Sequence, residues 1–301
     1  MKVYSSYLPY ERYKNNILDK EKYNNIPITI FNDFFEGSLH NEKELEENPI
    51  NIMILNEPNQ LFNHHNYIRK HWQEYSLILT WGDTVIQNCP NSRLFIHGET
   101  NLDKPYIIEY KNNPKRKYEV SYVSGVLDNL EGHKLRHRIL ENFYKGNVKI
   151  PSYFRRVLDD FNHKTGNRPG YDEVKIAKHG NPIEGEGKKE LWNRNSMFHV
   201  AVENSRNINY YTDKIVDCFA TKTIPIYWGA PNIGEFWNQD GIITFENENE
   251  LVSILNNLTE DDYFRRKEAI EENYQLAIKN GFFFDRLELT LDKLIEQNNL
   301  K

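Results

Sequence analysis

Cysteine is scarce in this chain of 301 residues: there are two, Cys89 and Cys218. That excludes a disulfide framework and points to a reducing compartment with two buried free thiols. Long apolar runs are missing as well. None approaches the ~18 residues of a membrane helix, and Met1-Lys2-Val3-Tyr4 does not open a signal peptide, so a cytoplasmic location is expected. Nor is there an excess of basic charge. Lys and Arg number 38 against 44 Asp and Glu, a net charge of −6, whereas a nucleic-acid binder normally shows a basic face. The one basic run, Lys111–Lys117 (KNNPKRK), carries a proline and reads as a linker between domains rather than a DNA-binding patch.

What is present supports real cores: 39% hydrophobic and 13% aromatic residues rule out global disorder, and the length allows two domains. Short β-like runs recur at Ile28–Phe31, Ile50–Leu55 (INIMIL), Tyr75–Trp81 (YSLILTW) and Arg93–His97, separated by helix-length gaps. That alternation predicts an α/β domain of parallel strands. INIMIL runs straight into the polar turn Asn56-Glu57-Pro58-Asn59, which puts Glu57 at the carboxyl end of a buried strand. After the linker, Tyr118–Ser124 alternates like a strand and Gly132–Tyr144 has helical period, with Leu135, Ile139 and Phe143 inward. His133 and His137 lie four apart, but with no third ligand nearby they read as ordinary helix histidines. Lys164–Lys189 is rich in Gly, Lys and Asn and reads as a long mobile loop.

The chain is organised around the stretch from Phe198 to Phe236. Phe198–Val202 is an apolar run ending in Glu203-Asn204, Tyr211–Ala220 a helix, and Thr223–Trp228 a second β-rich run closed by Gly229. Strand, helix, strand and glycine turn in this order predict a βαβ unit with parallel strands. Its chemistry belongs at the strands' carboxyl ends. Asp213 and Lys214 stand at the start of the crossover helix, where free N–H groups and the dipole favour an anion. Read from composition alone, Lys214 is more readily a solvated helix lysine.

These blocks resemble the donor-binding signature of the family 10 glycosyltransferases, α-1,3/1,4-fucosyltransferases that use GDP-fucose. The matching residues are Phe198, Glu203-Asn204-Ser205, Tyr210-Tyr211-Thr212-Asp213-Lys214, Thr223–Gly229 and Pro231. Asp213 departs from the pattern, because the family usually has glutamate there. The resemblance implies a GT-B fold, two Rossmann-like α/β domains facing across a cleft. The expected domains are 1–115, binding the acceptor, and 116–301, binding the nucleotide sugar and ending in a closing helix. It further implies that Arg136 (with Arg138 the alternative) contacts the donor diphosphate. Glu203, Asn204, Tyr210, Tyr211, Asp213 and Lys214 complete the donor set, and Glu57 is the catalytic base, with Glu99 the next carboxylate to try.

The function so implied is inverting transfer of fucose from GDP-fucose to a hydroxyl of a glycan acceptor. No Asp-x-Asp triplet occurs anywhere in the sequence, so no cofactor and no metal is expected, and cationic side chains serve the leaving group instead. Another GDP- or UDP-sugar donor, or a nucleotide-sugar-binding protein without catalysis, are the alternative readings. Oligomeric state and acceptor stay open.

Overall fold

The computed structural model describes residues 1–5, 8–33, 50–110, 115–125, 127–156 and 195–298. The expected loop Lys164–Lys189 and the first part of the Lys111–Lys117 linker lie outside them. The chain divides into two compact units. Met1–Gly98, Ile208–Tyr210 and Phe282–Lys301 form the first, and Glu99–Asn207 and Tyr211–Gly281 the second. The division therefore falls earlier than the 115/116 boundary read from the linker.

The first unit holds a five-stranded parallel sheet in the order β1 (Lys2–Ser5), β2 (Ile28–Asn32), β3 (Ile50–Leu55), β4 (Leu77–Thr80), β5 (Ser92–Leu94). Every residue of β2, β3 and β4 is buried, which is why INIMIL is apolar at every position but Asn51 instead of alternating. One face takes Ile28, Ile30, Ile50, Ile52, Ile54, Leu77 and Leu79. The other takes Phe31, Met53, Leu55 and Ile78 against Ile68 of α1 (His64–His71) and Val85 of α2 (Asp83–Asn88).

The second unit holds five parallel strands in the order β10 (Ile243–Thr244), β9 (Ile224–Trp228), β8 (Ser196–Val202), β6 (Lys117–Ser124), β7 (Ser152–Arg156). One face of this sheet packs with Leu135, Ile139, Leu140 and Phe143 of α3 (Glu131–Tyr144) and Leu251 and Leu255 of α5 (Glu248–Asn257). The crossover helix α4 (Asp213–Ala220) lies against β8, β9 and α6 (Lys267–Asn280).

Ahead of α6 a short helix, Glu260–Phe264, is opened by Thr259, whose side chain accepts from Asp262 N–H. Two sequence expectations change in detail. The crossover helix begins at Asp213, because Thr212 is its extended N-cap. The closing helix α7 (Phe283–Gln297) was assigned by sequence to the C-terminal domain. It belongs to the first unit, where Phe283, Phe284, Leu287, Leu291 and Ile295 complete the core over β2–β4. Its amphipathic period specified a buried stripe but not which sheet would bury it. Among the described residues no helix is long and apolar enough to cross a membrane.

Candidate active site

β6 and β8 are neighbours, yet the chain leaves them in opposite directions. β6 leads through α3 to β7 on one flank, and β8 leads through α4 to β9 on the other. Loops part at such a switch point, leaving room for a ligand outside the carboxyl ends of the strands. Of the predicted donor residues, Arg136, Glu203, Asn204 and Lys214 meet at the end of β8.

Glu203, the first residue after β8, is wholly buried. Its carboxylate accepts the Thr212 N–H at 2.8 Å and the Thr212 hydroxyl at 2.7 Å. Thr212 Oγ1 in turn accepts from Lys214 Nζ at 3.0 Å and Lys214 N–H at 3.4 Å. Lys214 Nζ stands 3.7 Å from Glu203 and 3.6 Å from Asp213. Burial pushes the Glu203 carboxyl up, while the Lys214 ammonium and the two Thr212 hydrogen bonds pull it back. The β8–α4 connection is thereby locked and the lysine aimed across the helix start, where an anion is favoured.

α3 contributes the second cation. Arg136 Nε donates to Val202 O at 3.0 Å, and its Nη2 to the same carbonyl at 2.5 Å and to Asn204 Oδ1 at 2.8 Å. Close approach of α3 to β8 needs a glycine. A Cβ on Gly132 would meet Glu203 O at 1.8 Å, and the Gly132 N–H donates to Asn204 O at 3.0 Å. His133, on the same helix, has its pKa lowered to about 4, first by burial and then by the Arg136 charge, with Lys214 adding to it. Burial holds this histidine neutral, and the two cations that add to the shift favour an anion in the same region. His133 Nδ1 pairs with Asn129 Oδ1 and His137 Nε2 with Leu127 O, which gives both rings hydrogen-bonded places in the helix packing.

Arg138 points elsewhere, to Glu248 at 2.9 Å, whereas Arg136 lies against the end of β8. Asp213 is partly exposed and hydrogen-bonded to Asn101 Nδ2. Asn101 belongs to a loop that also fastens α4 from outside, with Thr100 Oγ1 at 2.6 Å and Asn101 N–H at 2.9 Å from Asp217 Oδ1. The two tyrosines part company. Tyr211 packs against Phe236 and Trp237 within the second unit, whereas Tyr210 packs on Trp81 within the first. Both are buried. Gly229 closes β9 where a Cβ would meet Tyr227 Oη at 2.1 Å and Glu203 Cγ at 2.6 Å.

Glu57 lies in the first unit, two residues beyond the end of β3 and partly buried. Its backbone N–H donates to the Asp33 carboxylate. Glu99, the alternative carboxylate, is buried at the start of the second unit. Sequence reasoning missed Asn101, Asp217 and Asp33. Each reaches its partner from a distant part of the chain, and no local spacing announces it.

The fold places the chain among the two-sheet GT-B proteins. The structure of an alpha1,3-fucosyltransferase matches 94% of this chain and 91% of its own length, at 13% identity and a TM-score of 0.51. An alpha1,3-fucosyltransferase with GDP-fucose matches at 14% identity and 0.51, covering 98% and 90%. A UDP-forming α,α-trehalose-phosphate synthase from Burkholderia vietnamiensis gives 13% identity and 0.57, covering 91% and 74%. Residues 171–278 match the family described as glycosyltransferase family 10 (fucosyltransferase), C-terminal. The alpha-(1,3)-fucosyltransferase FucT of Helicobacter pylori is 33% identical over 61 residues, 19% of this chain and 13% of that protein.

Proposed function

We propose that this chain is an inverting glycosyltransferase that moves fucose from GDP-fucose to a hydroxyl of a glycan acceptor. The observation that carries the reading is that Lys214, at the start of α4, and Arg136, from α3, both stand at the carboxyl end of β8. Two cations at one strand end suit a diphosphate that gains negative charge as it leaves. In this scheme the acceptor oxygen attacks C1 of the sugar, and the new C1–O bond forms as the bond from C1 to the diphosphate breaks. Glu57 takes the acceptor's proton. Asn204, Tyr210, Tyr211 and Asp213 hold the nucleoside and sugar. The buried Glu203 acts on the donor through Thr212 and Lys214 and not by direct contact. No metal enters the scheme, since the side-chain cations serve the leaving group.

The fold is shared with UDP-forming enzymes, so donor choice is the property to test. GDP release is measured from GDP-fucose, GDP-mannose and UDP-hexoses, with mixed galactose- and N-acetylglucosamine-terminated oligosaccharides as acceptors. Turnover of GDP-fucose above the others, unaffected by excess EDTA, is expected. Preference for a UDP-sugar overturns the donor assignment. A thermal shift with GDP but no turnover makes the chain a binding protein, and loss of activity on chelation, restored by Mn²⁺ or Mg²⁺, ends the metal-free scheme.

A further inference from the structure

The turn that carries Glu57 is gripped from three sides. Asp33, just beyond β2, is buried and turns its carboxylate to the end of the adjacent strand. The Asn56 N–H donates to its two oxygens at 3.0 and 3.1 Å, and the Glu57 N–H to the same two at 3.5 and 3.3 Å. Trp81 Nε1 donates to Asn56 O at 2.8 Å, and Asn56 Nδ2 to Asn32 Oδ1 at 2.6 Å. Behind the carboxylate stands His64, with Nδ1 3.5 Å from Asp33 Oδ1.

Asp33 holds this place at a local cost. Its φ of 46° lies in the left-handed region, where a residue with a Cβ is uncommon. A strained, buried acid whose oxygens accept two consecutive amides is the arrangement expected where a turn must be held in one conformation. Those amides belong to Asn56 and Glu57, so the object of the grip is the backbone from which the Glu57 side chain starts.

We infer that Asp33, backed by His64, is a positioning residue that presets the Glu57 turn for proton abstraction. The inference rests on the reading of Glu57 as the base. Asp33 touches no reacting atom in this scheme. It fixes where the Glu57 carboxylate stands, and displacement of a catalytic group by about 1 Å can lower a rate by about 10²-fold.

A double-mutant cycle separates this role from mere support of the fold. GDP release from GDP-fucose, with the oligosaccharide mixture as acceptor, is measured for the parent, Asp33→Asn, Glu57→Gln and the double variant. Melting curves and GDP affinity are taken on the same preparations. Asp33→Asn is expected to lower kcat about 10- to 100-fold with GDP affinity unchanged. Glu57→Gln is expected to lower it about 10²- to 10⁴-fold, and the double variant to be no slower than Glu57→Gln. Losses that multiply in the double variant, or an Asp33→Asn that turns over as the parent does, overturn the inference while the base reading stands. A Glu57→Gln that keeps more than a tenth of the parent rate ends the base reading itself, and this inference with it. Should Asp33→Asn not fold, Asp33→Gly, which suits a φ of 46°, replaces it. Failure of both to fold means that the carboxylate supports the domain and overturns the inference.

Discussion

The Glu203 carboxylate accepts both the backbone N–H and the hydroxyl of Thr212, nine residues further along the chain, in a place closed to solvent. Thr212 is at once the N-cap of α4 and the hydroxyl that Lys214 leans on. One buried acid therefore sets the helix start and the lysine together. Glu203→Ala would leave the buried Thr212 N–H without this acceptor, a loss of about 1–3 kcal/mol in stability. It would also free the Lys214 side chain to wander. The expected result in denaturant unfolding is a lower midpoint, accompanied by weaker GDP binding. A variant as stable as the parent would mean that water or another group replaces the carboxylate.

Lys214→Ala separates the lysine from its support. With Glu203 and Thr212 intact the cap should persist, because the Thr212–Glu203 hydrogen bonds do not involve the ammonium. Stability should change little, while GDP affinity should fall by roughly 1.5–3 kcal/mol, the value of a charge-assisted contact, or about ten- to a hundredfold. Calorimetric titration with GDP checks it. Unchanged affinity would remove Lys214 from the donor site.

Much of this site was legible in the sequence, and the reason is locality. The βαβ unit from β8 to β9 shows its strand, cap, helix and glycine turn within a few dozen residues, each with its own propensity signal. INIMIL likewise shows its double-sided burial in six letters. What escaped reading depends on packing between distant segments. Arg136 was placed by resemblance, but that it ties α3 to Val202 O and Asn204 is a contact across 66 to 68 positions. Asp33 follows a strand that was recognised, yet nothing in Ile28–Phe31 says that its neighbour in the sheet will be the strand ending in Asn56-Glu57. Tyr210 and Tyr211 read as one motif, yet their rings pack on different partners in different units.

Gly132 tests the α3 contact directly. Its missing side chain lets the Gly132 N–H reach Asn204 O, and a methyl there would overlap the Glu203 carbonyl. Backbone cannot move aside as a flexible side chain does, so α3 must retreat from β8 and carry Arg136 with it. Gly132→Ala is expected to be destabilised by about 1–3 kcal/mol, as overpacked sites are, and to bind GDP more weakly. The gain in helix propensity from alanine, at most about 1 kcal/mol, opposes this. A more stable variant with unchanged GDP binding would show that the approach is not tight.

Acid should unfold this protein through its histidines. His199 sits within β8, buried, with Nδ1 2.8 Å from Ser121 Oγ, and burial lowers its pKa to about 3. His65 is lowered to about 4, first by burial, and His133 to about 4 for the same leading reason. In the unfolded chain each would titrate near 6.5. Between that value and the folded one the unfolded state binds more protons, so stability falls as pH falls. At pH 5 each such histidine has removed about 2 kcal/mol relative to pH 7. Asp33 and Glu203 act in the opposite sense, because burial raises both and the folded state then holds the extra proton. At both acids burial is opposed by the hydrogen bonds and neighbouring charge that lower them, whereas at His199 burial acts alone, so His199 is where the test is made. Urea midpoints at pH 7 and pH 5 should therefore drop for the parent and drop less for His199→Gln, which has no proton to take up. Equal drops in the two proteins would mean that His199 is protonated in the fold and that the acid sensitivity arises elsewhere.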